Sequence, residues 1–209
     1  MSVADINIAR MSATVITYHL RMGRWEPNAR GRLEQAALEL FGERGFEQTT
    51  AAAIAERAGV TERTFFRHYA DKREVLFAGA LVMKDLLVGA VAEAPASASP
   101  LEATAGAIAA VGAMMQQRRE LVRQRQVVVD ANPELREREL AKMSTLGAAL
   151  TGALRDRGVG ELTARLTAEA GIAVFRVAFD SWVNDPDAAE LPDVVRASFV
   201  ELKAVTSGE

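Results

Sequence analysis

Between Thr49 and Lys72 the chain gathers side chains suited to a polyanion with readable edges. Arg63 or Arg67 can donate two hydrogen bonds to a guanine, and Thr64 can meet a base edge or a thymine methyl. Thr49 or Thr50, His68 and Lys72 suit phosphate oxygens, as do backbone amides at helix starts. Phe66 can pack on sugar and phosphate, and Thr61 and Glu62 complete the set of candidate DNA-contacting residues. The spacing beneath them is that of a helix-turn-helix. Ala55 is small enough for a helix crossing, Gly59 follows at the turn, then Val60, and Phe65 serves as the buried anchor of the second helix. The same pattern also fits an ordinary three-helix subdomain that happens to carry Arg and Thr on its surface.

These residues must be positioned by helices. Asn28 is a candidate cap for a first helix, along which Leu33, Ala36, Ala37, Leu40 and Phe41 recur at helical spacing, and Gly45 is its stop. Thr49-Thr50 caps a short helix through Arg57, and Thr61 caps another to about Tyr69. Asp71, with Glu74 as a capping box, opens a fourth helix. Its apolar face includes Val75, Leu76, Val82, Met83, Leu86, Leu87 and Ala90. Residues 92–100 are a loop, and Ser99-Pro100-Leu101-Glu102 starts the next helix. Asn132-Pro133-Glu134 and Asp185-Pro186-Asp187 repeat the cap-then-proline signal. The expected fold is all-α, with about nine helices, the last three near 133–157, 161–184 and 190–206.

Composition narrows the chemistry. The 209 residues are 49% hydrophobic and 25% charged, ordinary for a globular chain. There is no cysteine, which excludes disulfides, thiol nucleophiles and thiolate metal sites. Two histidines, His19 and His68, leave little for a metal cluster or a catalytic triad. No P-loop, dinucleotide-binding, zinc-protease or nucleophile-elbow pattern occurs, so neither an enzyme nor a cofactor or metal is expected. No run of 18 apolar residues suggests a membrane span. Residues 21–73 carry a balance of +2 and residues 74–209 one of −5, a basic front on an acidic back.

Residues 28–75 resemble the N-terminal domain of TetR-family transcriptional regulators. The resemblance rests on Gly45-Phe46, the Thr49-Thr50 pair, Ile54-Ala55, Ala58-Gly59-Val60, Thr64-Phe65-Phe66, His68-Tyr69 and Lys72. Members often carry Leu-Tyr where this chain has Phe65-Phe66, and the change at Phe66 removes a hydroxyl that could reach a phosphate. The resemblance implies a DNA-binding domain over 22–73, with its helix-turn-helix at about 50–69, and an effector-binding and dimerisation domain over 74–209. It implies a repressor on a palindromic double-stranded DNA operator, a homodimer through about 161–184 and 190–206, a small-molecule effector and a cytoplasmic, nucleoid-associated location. Leu162, Leu166, Ala170, Ala173 and Val177, then Val194, Val195, Ser198, Phe199 and Leu202, have the spacing for pairing stripes. Residues 1–21 read as an N-terminal extension, with Met22 a candidate natural start.

From Arg118 to Trp182 the chain also resembles an actinobacterial branch of that family associated with acyl-CoA-like ligands. Asn132-Pro133-Glu134-Leu135-Arg136, Arg157-Gly158 and Trp182 carry this likeness. Met114, Met115, Leu146, Leu150, Phe175 and Phe179 are the expected cavity lining, with ordinary core as the competing assignment. Arg118, Arg119, Arg123 and Arg125 read as a solvated face unless one points inward, and Glu134, Glu137 and Glu139 as exposed charges. The alternative to an effector-released regulator is an effector-independent DNA-binding structural or cell-division protein of the same fold.

Overall fold

Short-range capping chemistry sets four helix starts among the described residues, at Thr50, Thr61, Asp71 and Ser99, whereas Asn132 precedes its helix without a side-chain cap bond. The computed structural model describes residues 29–207. Residues 1–28, with the proposed extension, Met22 and the Asn28 cap, lie outside them. Ten helical segments are present among the described residues, and no strand. They are α1 (Ala29–Arg44), α2 (Ala51–Arg57), α3 (Glu62–His68), α4 (Lys72–Phe77), α5 (Ala80–Glu93), α6 (Pro100–Gln116), α7 (Arg119–Ala131), α8 (Pro133–Asp156), α9 (Glu161–Asn184) and α10 (Leu191–Ser207). Counting α4 and α5 as one interrupted helix gives nine.

Thr50 accepts from the Ala53 amide at 3.1 Å and Thr61 from the Thr64 amide at 3.2 Å. Asp71 accepts from the amides of Arg73 and Glu74. The reciprocal half of the expected capping box at Asp71 is replaced, because the Glu74 carboxylate pairs with Arg138 on α8. The box at Ser99 and Glu102 is complete. Asp185-Pro186-Asp187 does not open a helix. The Asp185 carboxylate accepts from the Asp187 amide at 2.9 Å, a local turn that competes with capping, and α10 begins at Leu191 instead.

Two hydrophobic clusters organise the chain. One fills the head, with Leu33, Leu40, Phe41, Ile54, Ala55 and Phe65. It continues into Val75, Leu76 and Phe77 of α4, Val128 and Val129 of α7, and Leu135 of α8. The other fills the body, where α6 packs against α5, α9 and α10, and α8 against α5 and α9. Gly171 lets α9 approach α6 closely, since a Cβ there would lie 2.5 Å from the Thr104 methyl. The Lys72–Glu93 stretch has a window of mean hydropathy 2.0, apolar and long enough by composition to cross a membrane. In this fold the α5 part of it packs on α6 and α8.

The expected single fourth helix is interrupted at Ala78 and Gly79. The Leu76 carbonyl accepts from Arg125 Nε at 2.6 Å, and the Ala78 carbonyl from Arg30 at 2.9 Å. Side chains entering a helical ladder are a known cause of such breaks. One guanidinium comes from α1 and the other from α7, so the break sits on the seam between head and body.

A second polar node closes the body. Gln116 Oε1 accepts from the Trp182 indole at 2.9 Å and from the Leu191 amide at 3.1 Å, tying α6 to α9 and α10. Trp182 and Leu191 are fully buried. Gln116→Leu should therefore lower unfolding free energy by about 1–3 kcal/mol through the donors left unmade. Urea denaturation checks this, and unchanged stability would show that the node is dispensable.

Candidate functional site

Phe65 anchors the candidate nucleic-acid interface. Its side chain has no exposed surface, and full burial of a Phe stabilises by about 1.5–3 kcal/mol. Burying that one face of α3 turns Glu62, Arg63, Phe66, Arg67 and His68 to the outside. Phe66 is 52% exposed and stands edge-on to Phe65 with centroids 5.3 Å apart. The turn before α3 follows from Gly59, whose φ is +66°. With that residue left-handed, the Val60 amide reaches the Ala55 carbonyl at 2.9 Å. Thr61 Oγ1 and Thr64 Oγ1 lie 3.0 Å apart on the exposed first turn of α3.

Other residues expected at phosphates are placed differently. Thr49 is buried, with its hydroxyl within reach of the Leu40 and Gly45 carbonyls at 3.2 and 2.9 Å. It braces the end of α1. Thr50 is occupied as the α2 cap. Lys72 donates to the carbonyls of Phe46 (2.7 Å) and Glu47 (3.1 Å), and its ammonium lies over the Phe46 ring. These residues shape the head, while Glu62, Arg63, Thr64, Phe66, Arg67 and His68 form a contiguous stretch of α3.

The head meets the body through α1. Glu34 accepts from the Tyr69 hydroxyl at 3.3 Å and pairs at 2.9 Å with Arg118, the residue just before α7. Burial, reinforced by the Glu34 charge, pushes the Tyr69 hydroxyl well above the usual tyrosine range. Arg73 approaches Glu134 at 3.9 Å, and Arg138 pairs with Glu74.

Along this seam lies a cavity of about 270 Å³. Its apolar walls include Leu38, Met83, Leu86, Leu121 and Val122, and Met114 and Met115 close one side. Arg30, Glu34, Arg118, Arg125 and Lys142 supply its charges. Of the six residues expected to line a cavity, only Met114 and Met115 border this one. Leu146, Leu150 and Phe175 are buried in the body core, and Phe179 packs against that core. The reason is that α8 and α9 pack closely there, and the open volume falls at the junction with α1.

The arginine-rich helix is not a solvated face. Arg119 donates to the Asp185 carbonyl at 2.8 Å and stacks on Trp182, and Arg123 donates to the Val183 carbonyl at 2.8 Å. Arg125 pairs with Glu139, which is itself only one-fifth exposed rather than a surface charge. Lys142 lies 2.5 Å from the same carboxylate. Burial, with Arg125 adding repulsion, lowers the Lys142 ammonium to about 8 against the pull of Glu139. Burial works against the Glu139 charge, but Arg125 and Lys142 hold its carboxyl below the usual range. Arg118, Leu121, Val122 and Arg125 share one face by their i, i+3, i+4, i+7 spacing, a signal present in the sequence that marks the cavity wall.

Residues 34–78 match the model of bacterial regulatory proteins of the tetR family, and residues 98–207, over half the chain, match the MftR C-terminal domain. The chain belongs to the TetR family. Its helix-turn-helix segment and its C-terminal domain match those of TetR-family transcription regulators. Among curated relatives, the HTH-type transcriptional regulator TcmR of Streptomyces glaucescens is 43% identical over 82 residues, covering 39% of this chain. The match spans 36% of TcmR, about a third of its length. The fatty acid degradation regulator FadR of Bacillus halodurans superposes with a TM-score of 0.62 at 17% identity, covering 86% of this chain and 96% of that one. FadR of Bacillus subtilis, solved in complex with stearoyl-CoA, gives 0.60 at 20% identity, covering 82% and 96%. At such identities the likeness to these two structures is one of fold.

The turn carries a direct test. A Cβ at Gly59 meets nothing closer than the Arg32 guanidinium at 4.0 Å, so backbone conformation alone sets the cost of substitution. Gly59→Val should lose about 1–3 kcal/mol of stability, since a β-branched residue resists positive φ. Chemical denaturation measures it, and a fully stable variant would contradict the turn geometry.

Proposed function

We propose that this chain is a dimeric repressor that binds a palindromic operator and is released by a small hydrophobic or acyl-CoA-like effector. The observation that carries the reading is the exposed α3 face built over buried Phe65. It presents Arg63, Thr64, Arg67 and His68 on a helix short enough to enter a major groove. On this reading residues 22–73 bind DNA, and 74–209 bind effector and pair the subunits. The protein works in the cytoplasm and catalyses nothing.

Pairing is supported by α9, where Leu162, Leu166 and Val177 are strongly exposed on one face with Ala173 between them. On α10 the apolar residues divide. Val195 and Phe199 turn into the body core, while Val200 and Val205 are exposed. The pairing stripe thus runs mainly along α9, with the outer edge of α10 beside it. A homodimer would present two α3 helices to half-sites ~34–36 Å apart.

The effector half of the reading is supported by the seam cavity. A ligand touching α1 and α7 together can favour one head orientation over another. Coupling of this kind is worth about 1–3 kcal/mol between the two forms. The stearoyl-CoA complex of the Bacillus subtilis protein motivates the acyl class.

Fluorescence anisotropy against duplex DNA from the gene's own upstream region, with a shuffled duplex as reference, tests the reading. Preferential binding by two or four subunits is expected. Arg63→Ala should weaken the specific duplex by about 1–3 kcal/mol and the shuffled one much less, if Arg63 reads a base. Equal loss on both would move Arg63 to the phosphate backbone. No DNA binding to any sequence from a genome-wide selection would sink the proposal.

A further inference from the structure

Each end of the cavity on the head–body seam sets two cations against one carboxylate, but the ends differ in exposure. At its outer end Arg30 and Arg118 are half exposed, and Glu34 balances them in part. At its inner end the side chains of Arg125 and Lys142 are only 16% and 11% exposed. Both cations share one carboxylate, Glu139. The neighbouring Arg138 is already matched by Glu74. The inner end therefore holds one uncompensated positive charge against apolar walls. Buried charge is costly unless paired.

Lys142 has three N–H donors, and Glu139 is its one hydrogen-bonding partner among the described residues. Arg125 is fixed by the Leu76 carbonyl and by Glu139, with its guanidinium 5.0 Å from the Phe77 ring centre. A neutral apolar ligand filling the cavity would exclude water from this excess charge and leave it unmatched. An anionic oxygen group delivered to the same end would match it.

We infer that the inner end of the cavity receives the carboxylate of a medium-chain aliphatic acid, bound by Lys142 beside Arg125, with the chain lying along Leu121, Val122 and Met114. This rests on the reading of the cavity as the effector site and narrows it to the free acid. The volume of about 270 Å³ is near the lower end of the ~300–1,000 Å³ range of ligand pockets. That suits an acid of modest length, for which octanoate is the probe. A coenzyme A thioester would leave the inner cations unmatched. Its phosphates lie far from the acyl carbonyl, so an inserted chain would present only uncharged groups to Lys142.

Isothermal titration of the full chain with octanoate, 1-octanol and octanoyl-CoA tests the inference, alongside anisotropy of the protein–operator complex with each ligand. Octanoate should bind at least tenfold more tightly than octanol and more tightly than the thioester. Lys142→Met should abolish the preference for the acid while leaving octanol affinity in place. Glu139 keeps Arg125 as its partner in that variant, and Lys142→Arg, which retains the charge, should keep most of the preference. The comparison of acid with alcohol on the unaltered chain needs no variant to fold. Equal binding of acid and alcohol, tighter binding of the thioester, or an acid preference that survives Lys142→Met would each overturn the carboxylate assignment. Release of operator by the alcohol or the thioester in those cases would leave the effector reading standing. Failure of all three to bind would overturn both.

Discussion

The seam at Leu76 and Ala78 governs how the two halves of the molecule meet. Two backbone carbonyls there accept guanidinium donors, Arg125 from α7 and Arg30 from α1. These bonds fix where α4 gives way to α5, and hence where the head stands on the body. Glu34 completes the join by linking the Tyr69 hydroxyl to Arg118. Exposed ion pairs of the Arg118 kind contribute little to overall stability, typically 0–1 kcal/mol. Their value here lies in orientation. Weak, partly exposed bonds can be exchanged at small cost when a ligand or a DNA duplex favours another arrangement.

Local features were legible in the residues. Thr50, Thr61, Asp71 and Ser99 announce their helices because a cap depends on atoms two or three residues away. Gly59 and Phe65 announce the turn for the same reason, and the matching tetR-family segment at residues 34–78 contains both. The internal partners of Thr49 and Lys72 were not legible. Their types suit phosphate, but carbonyls of the head lie close enough to occupy them. That proximity arises only when α1 and the loop after it have folded back.

The cavity was the least legible part. Phe175, Leu146 and Leu150 have the composition of a pocket wall and the position of a core. Nothing in local spacing separates the two, because the distinction depends on where neighbouring helices diverge. The charged residues of α7 were visible, but their destinations were not. Arg119, Arg123 and Arg125 each bond across to an element far away in sequence. Only Arg118, Leu121, Val122 and Arg125, on one helical face, left a periodic trace of the site.

Arg30, Glu34 and Leu38 of α1 form part of the cavity wall. The DNA-reading unit is therefore not an interchangeable module. Grafting another regulator's head onto this body would exchange three wall residues along with the recognition helix. On the proposed effector reading, a chimera made to redirect DNA specificity would inherit an altered response to its ligand. On the same reading, drift in α1 that never touches DNA would retune what the body senses, and the two specificities would evolve under a shared constraint.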